Sequence, residues 1–283
     1  MNLATPTAVR HLMEAHGFHV KKRLGQNFLI DANILRKIVA AAAVAPGTIV
    51  LEIGPGIGAL TQVLAEAGAT VVAVEIDPDM VRVLQETMAP YPNVSVVAGD
   101  ALRLDLAALL PPATTCSVVA NLPYYITSPL LMKIFQDNLP LSKVVVMVQR
   151  EVATRITAQP GSADYGALTV ALAYKAEVEY VATVPRQVFY PQPNVDSAVV
   201  RLTPRLCPFP AANAEVFAHT VRIAFGQRRK TLRNVIRAAG YDAAAVLTAA
   251  DIDGNRRGET LSVQEFGRLS LVVAAAQANV TSL

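Results

Sequence analysis

The chain has 283 residues, 53% of them apolar or aromatic and 17% charged, so it can bury a sizeable core and is neither a disordered tail nor a staple-dependent mini-domain. Its two cysteines, Cys116 and Cys207, are too few for a disulfide framework and lie in no Cys/His cluster with zinc spacing, which points to a reducing compartment and no metal. The net charge is only +3, but it is unevenly spread: Lys and Arg outnumber Asp and Glu six to two in residues 1–37 and eight to one in 201–237, and are outnumbered eight to fourteen in 38–200.

Two basic segments around an acidic middle fit a polyanionic partner such as nucleic acid, although a solvated face accounts equally well for either segment alone. Met1 to Gly17 hold Glu14 and two histidines without a signal-type apolar stretch, and no run of about 18 apolar residues occurs. A cytoplasmic protein, neither secreted nor membrane-spanning, is expected.

In chain order, Thr5-Pro6 reads as a cap with proline in the first helical turn and Gly17 as the stop of one short helix. Phe18 to Ile30, with Lys21, Lys22 and Arg23, has no periodicity and reads as a loop. Asp31 caps a helix carrying Ile34, Leu35, Ile38 and Val39 on one face. Short β-branched runs at 48–53, 70–75, 94–98, 117–121 and 143–148 then alternate with helical stretches. Unbroken apolar runs such as Val144 to Val148 suit strands covered on both faces. A helix at 165–174 precedes strands near 176–184 and 196–202, joined by a proline-rich loop and readable as a hairpin closing the sheet. Pro204, Pro208 and Pro210 mark a boundary, so domains of 1–204 and 205–283 are expected. Helical periodicity follows at 213–225, 229–239 and 262–277, the last opened by a Ser262/Glu265 capping box.

Glu52-Ile53-Gly54-Pro55-Gly56-Ile57-Gly58-Ala59 ends the first strand of the alternating region and opens a helix, where glycines allow a sharp turn close to a ligand. The loop also satisfies a loose dinucleotide template, with Glu75 placed 21 residues after Gly54 as a ribose ligand. A tight strand-to-helix turn with no ligand is the plain alternative. Two features favour S-adenosylmethionine. Glu52 would repel a pyrophosphate but suits a ligand carrying an ammonium and a sulfonium. Asp100, after the third strand, suits an adenine amino group, though a lone Asp there is equally a helix cap.

Asn121-Leu122-Pro123-Tyr124 stands at the end of the fourth strand, followed by Tyr125. An amide oxygen at Asn121 and the Leu122 carbonyl accept the two N–H bonds of an exocyclic amine, favour a pyramidal nitrogen and aim its lone pair at a methyl group. Tyr124 would stack on the base. A turn with a buried tyrosine is the bland reading of the same residues. Phe189, ahead of Pro191 and Pro193, is placed to press an extruded adenine from the other side, or else anchors its loop to the sheet edge.

With both motifs in place, the chain resembles the KsgA-type ribosomal RNA adenine dimethyltransferase family. Arg23-Leu24-Gly25-Gln26-Asn27-Phe28-Leu29, the stretch Phe189 to Ser197, Gln227 to Asn234 and Arg257 to Ser262 match as well. The resemblance implies a Rossmann-like class I methyltransferase fold: a seven-stranded, mostly parallel sheet with one antiparallel strand, plus a small all-helical C-terminal domain. It implies an S-adenosylmethionine cradle of Asn27, Leu29, Gly54, Glu75, Asp100 and Asn121, closed by residues 1–30, without metal. It implies transfer of four methyl groups to two adjacent adenines of a hairpin near the 3′ end of 16S ribosomal RNA in the small subunit, by a monomer. Lys21, Lys22, Arg23, Arg228, Arg229, Lys230 and Arg233 would meet phosphates, or form solvated faces. The alternatives are a resistance-type methyltransferase of large-subunit RNA, a DNA-adenine methyltransferase, and a nucleic-acid-binding factor that keeps the fold without the chemistry.

Overall fold

The computed structural model describes residues 1–112, 114–137, 139–227 and 229–281, without the side chains of Lys22 and of 279–281. The chain divides into two compact units: Met1–Ala153 with Glu179–Pro204, and Thr154–Val178 with Arg205–Leu283. The chain passes from the first unit to the second for the last time after Pro204. Residues 154–178 belong with the helical unit, so the division is not the single cut that composition suggested.

In the first unit, α1 (Pro6–His16) is capped by the Thr5 hydroxyl and stopped by a left-handed Gly17. The segment read as a plain loop contains a one-turn 3-10 helix, Lys22–Leu24, and a short strand β1 (Phe28–Leu29). Its partner is β8 (Phe189–Tyr190), antiparallel, with Leu29 opposite Phe189. A pairing with a segment so distant leaves no local signal. The Asp31 carboxylate accepts from the Asn33 and Ile34 amides to start α2 (Ala32–Ala41).

The main sheet follows as β2 (Ile49–Ile53), β3 (Thr70–Glu75), β4 (Val94–Ala98), β5 (Cys116–Asn121), β6 (Leu141–Gln149), β7 (Ala176–Val184) and β9 (Ser197–Pro204). Their order is β4-β3-β2-β5-β6-β9-β7, with β9 antiparallel to β6. The late strands are neighbours at one edge, as the hairpin reading expects. Helices α3 (Ala59–Glu66), α4 (Pro78–Thr87) and α5 (Thr127–Gln136) connect strands, and α6 (Arg150–Ile156) follows β6. Val144 to Val148 have no exposed surface, which explains their unbroken apolar run.

The chain runs outward through β2, β3 and β4, then returns to β5 beside β2. That reversal opens a crevice at the carboxyl ends of β2 and β5, where open α/β sheets bind ligands. The register sets Ile53 beside Ala120, so the glycine loop and Asn121 emerge side by side.

The second unit holds α7 (Ala167–Lys175), α8 (Ala214–Phe225), α9 (Leu232–Ala238), α10 (Ala243–Ala249) and α11 (Val263–Thr281). Its core includes Phe217, Leu232, Leu247, Phe266 and Leu269. The Ser262/Glu265 box forms: the Glu265 amide donates to the Ser262 hydroxyl, and the Ser262 amide to the Glu265 carboxylate. α10 escapes a periodicity search because it is largely alanine, but Asp242 caps it through the Ala244 and Ala245 amides.

Candidate active site

The crevice at the β2/β5 switch is lined from four directions: Leu24 to Leu29, Glu52 to Ile57, Glu75 and Ile76, and Gly99 to Leu102 with Asn121 to Ile126. Glycine is required at the turn. Gly54 and Gly56 both lie in the left-handed region, and a Cβ on Gly56 would stand 3.2 Å from the Phe28 ring. The Gly56 amide donates to one Glu75 oxygen at 3.1 Å and the Asp77 amide to the other at 2.8 Å. Glu75 is thereby aimed along the rim while keeping lone pairs for hydroxyl donors. Burial pushes its carboxyl above the usual range, and these backbone donors counter that.

Glu52 is 1% exposed, and its Oε2 has no hydrogen-bond partner. Burial without a cation drives its carboxyl up to about 8, with the nearby Glu75 charge adding to the effect. Asp100 uses Oδ1 to accept the Leu102 amide at 2.9 Å, so it does act as a local cap, and its carboxylate still lines the crevice. Three acids therefore line this space, and among the described residues no Lys, Arg or His lines it. Such a lining offers no cation to a pyrophosphate and suits a positively charged ligand, whose approach would favour the ionised form of Glu52, so the acidic lining favours S-adenosylmethionine over a dinucleotide. The orphaned Glu52 oxygen is a ready partner for an ammonium, so the residues present fit S-adenosylmethionine.

At the end of β5, the Asn121 Nδ2 donates to the Asn27 carbonyl at 3.2 Å. A carbonyl can be met only by the amide nitrogen, so Asn121 Oδ1 is left as a free acceptor. The Leu122 amide donates to the Met147 carbonyl at 3.0 Å, which fixes the Asn121–Leu122 peptide. The Tyr124 hydroxyl shares a 2.8 Å hydrogen bond with Ser197 Oγ, and burial raises its ionisation further above the usual phenol range. Tyr125, by contrast, is 56% exposed at the mouth. Asn27 and Leu29 line the crevice too, with the Asn27 side chain held to the Gly25 carbonyl at 3.0 Å.

Two expectations do not hold in this geometry. Phe189 is 3% exposed within the core cluster and lines no part of the crevice; paired with Leu29 through β1 and β8, it anchors its loop. Lys21 is no free cation for phosphate, because its ammonium is already paired, 2.5 Å from both the Asp77 and Asp79 carboxylates. Arg23, Arg229, Lys230 and Arg233 are exposed, while Arg228 and the Lys22 side chain lie outside the described residues. Sequence reading missed Asp77 as a hub and Ser197 as the partner of Tyr124. Asp77 before Pro78 is a legible cap signal, but nothing local ties it to Lys21.

Among the described residues, no group of three or more His, Cys, Asp or Glu is placed to hold a metal, and no helix is long and apolar enough to cross a membrane. A family model described as "Ribosomal RNA adenine dimethylase" matches residues 17–275. "Ribosomal RNA small subunit methyltransferase A" of Geobacillus kaustophilus is 49% identical over 285 residues, covering 96% of this chain and 97% of the relative. The Bacillus pumilus protein of that name is 47% identical over 287 residues, covering 97% and 98%. Among solved structures, a dimethyladenosine transferase from Plasmodium falciparum superposes with a TM-score of 0.77 at 28% identity, over 88% of this chain and 98% of the other. The 23S rRNA methyltransferase ErmE does so at 0.69 and 29%, over 88% of this chain and all of the other. With an acid-lined crevice at the sheet's switch point, an amide oxygen left free beside it, and these matches across nearly the whole chain, the protein belongs to the ribosomal RNA adenine dimethylase family of S-adenosylmethionine-dependent methyltransferases.

Proposed function

We propose that this chain dimethylates the N6 amino groups of two adjacent adenines in a hairpin near the 3′ end of 16S ribosomal RNA, acting as a cytoplasmic monomer on the small subunit during ribosome biogenesis. The observation that carries the chemistry is the amide of Asn121, a residue lining the acid-lined crevice, whose nitrogen is held by the Asn27 carbonyl so that its oxygen remains as acceptor. S-adenosylmethionine, when bound, supplies an electrophilic methyl on a sulfonium, which is a good leaving group.

The residues of the chain then bind and orient. Glu52 and Glu75 suit the cationic and hydroxyl-bearing parts of the donor, Asp100 its adenine amine, and Gly54 gives it close approach to the backbone. Asn121 Oδ1 and the Leu122 carbonyl accept the two N–H bonds of the target adenine. The nitrogen lone pair, otherwise delocalised into the ring, is turned toward the methyl carbon. With the donor bound, these residues would hold N6 in line so that an N–C bond could form as the S–C bond breaks, the electron pair leaving on the neutral thioether and one N6 proton passing to solvent. Tyr124, braced by Ser197, offers its ring to an extruded base. N6 keeps one N–H after the first transfer, so the second methylation of each adenine would engage only one of the Asn121 and Leu122 acceptors.

Exposed Arg23, Arg229, Lys230 and Arg233 would supply phosphate affinity. The small-subunit target is supported by the names of relatives near 49% identity and by the Gln227 to Asn234 segment. ErmE, a large-subunit enzyme by its name, is less similar at 29%. Purified protein should transfer labelled methyl groups from S-adenosylmethionine to undermethylated small subunits and not to large subunits or DNA. Binding without transfer favours the non-catalytic factor, and transfer to large-subunit RNA favours the resistance-type enzyme.

A further inference from the structure

The segment Leu24 to Leu29 forms one wall of the crevice, and Lys21 just before it and Gln26 within it are fastened by side chains from a different part of the chain. Lys21 Nζ donates to Asp77 Oδ1 and Asp79 Oδ2, both at 2.5 Å. Gln26 Nε2 donates to Asp77 Oδ2 at 2.7 Å, while Gln26 Oε1 accepts the Lys21 amide at 2.8 Å. Asp77 is only 1% exposed at its side chain and is held in turn by its own amide donating to Glu75. A buried carboxylate facing an ammonium and an amide is a directional anchor, stronger than a surface pair.

The other end of this segment reaches the chemistry. Gly25, left-handed, lies beside the Asn121 to Tyr125 loop, where a Cβ would make ordinary contact with Pro123 and Tyr125 at 3.5 and 3.7 Å. Two residues on, the Asn27 carbonyl accepts the Asn121 amide and so decides which way that amide faces. A continuous line of hydrogen bonds therefore runs from Glu75 through Asp77 to Lys21 and Gln26, and the segment they hold ends at Asn121.

We propose that Lys21, clamped by Asp77 and Asp79, is a positioning residue for methyl transfer: it holds the 24–29 segment so that the Asn27 carbonyl keeps Asn121 Oδ1 turned toward the reacting nitrogen. This rests on the adenine N6 reading of the site. It also assigns Lys21 to catalytic geometry and removes it from the RNA-contacting set. The Lys21 ammonium is favoured by both carboxylates, and Asp79 is held below its usual range by Lys21, so the Lys21–Asp79 pair is ionised at neutral pH. Release of the segment would free the Asn27 carbonyl, and the Asn121 amide could then present its NH2 to the substrate, a donor facing a donor.

The test compares Lys21→Gln, Lys21→Arg, Asp79→Asn and the double variant Lys21→Gln/Asp79→Asn in the full chain. Three quantities are read: hydrogen exchange of amides 24–29 without donor, the single-turnover rate of methyl transfer to undermethylated small subunits, and the salt dependence of RNA binding. Lys21→Gln should speed exchange at 24–29 and lower the single-turnover rate, each by about tenfold, with the salt slope unchanged. Lys21→Arg should restore both, and the double variant should be no worse than either single one. Unchanged exchange overturns the proposal, as does faster exchange at full rate, or a salt slope shallower by about one contact at full rate, which makes Lys21 a phosphate ligand. If the wild-type protein transfers no methyl to ribosomal RNA, the functional reading fails while the exchange data still decide the clamp.

Discussion

Replacing Glu52 by glutamine tests whether the acid behind the glycine loop is a ligand group kept at the expense of stability. Unfolded, this carboxyl gives up its proton near 4.5; folded, it holds on to about 8, because burial takes the charged form out of solvent and the Glu75 charge adds to that, while the Thr61 hydroxyl offsets only part of it. Between those values the folded chain binds more protons than the unfolded one, so stability falls as pH rises through the window and is unaffected below it. At 1.36 kcal/mol per pH unit, the full interval amounts to ~5 kcal/mol by pH 8. Glutamine has nearly the same shape and no charge. Glu52→Gln should therefore match the wild type within about 1 kcal/mol at pH 5 and exceed it by roughly 3–5 kcal/mol at pH 8.5 in urea unfolding without donor. The same variant should bind S-adenosylmethionine at least about tenfold more weakly, since the carboxylate that meets the ammonium is gone. Parallel pH profiles for the two proteins would refute the reasoning.

Asn121→Ala should leave the donor dissociation constant within about threefold while lowering the single-turnover rate by about 10²–10³, as for loss of one preorganised group at a reacting centre; equal loss in both marks the residue as structural. Reversing Arg229, Lys230 and Arg233 to Glu should flatten the log–log salt slope of RNA binding by roughly 2–3, and an unaltered slope removes these residues from the phosphate contacts. Gly56→Ala should cost about 1–2 kcal/mol of stability and weaken donor binding, because φ is +59° there and the new methyl meets Phe28. A calorimetric scan of that variant indistinguishable from wild type would contradict it.

The parts of this molecule legible in its sequence are those whose signals are local. Asp31 and Asp242 make caps that the backbone amides confirm, although only Asp31 was used to place a helix. The five parallel strands follow from β-branched runs, and the order reversal between β2 and β5 gives their motifs a common rim. What the sequence concealed is pairing across distance. β1 is two residues long and exists only because β8 lies opposite it. Phe189 looked available for a base because prolines stiffen its loop, yet that same pairing draws its ring into the core. Lys21 read as one charge in a basic run, and its partners sit after a strand more than fifty positions later. Charge runs report sign and not partners, so Arg23 and Lys21, two residues apart, end in different surroundings.

The central claim is that Asn121 Oδ1 and the Leu122 carbonyl receive the two N6 hydrogens of the target adenine while Asn27 holds the amide from behind. It is tested most directly by a crystal structure of the protein with S-adenosylhomocysteine and a short RNA hairpin containing two adjacent adenines. The account predicts one adenine out of the stack with N6 about 3 Å from both oxygens, and Asn121 Nδ2 still on the Asn27 carbonyl. An Asn121 amide turned the other way, or an adenine N6 bonded elsewhere in an occupied crevice, would contradict it.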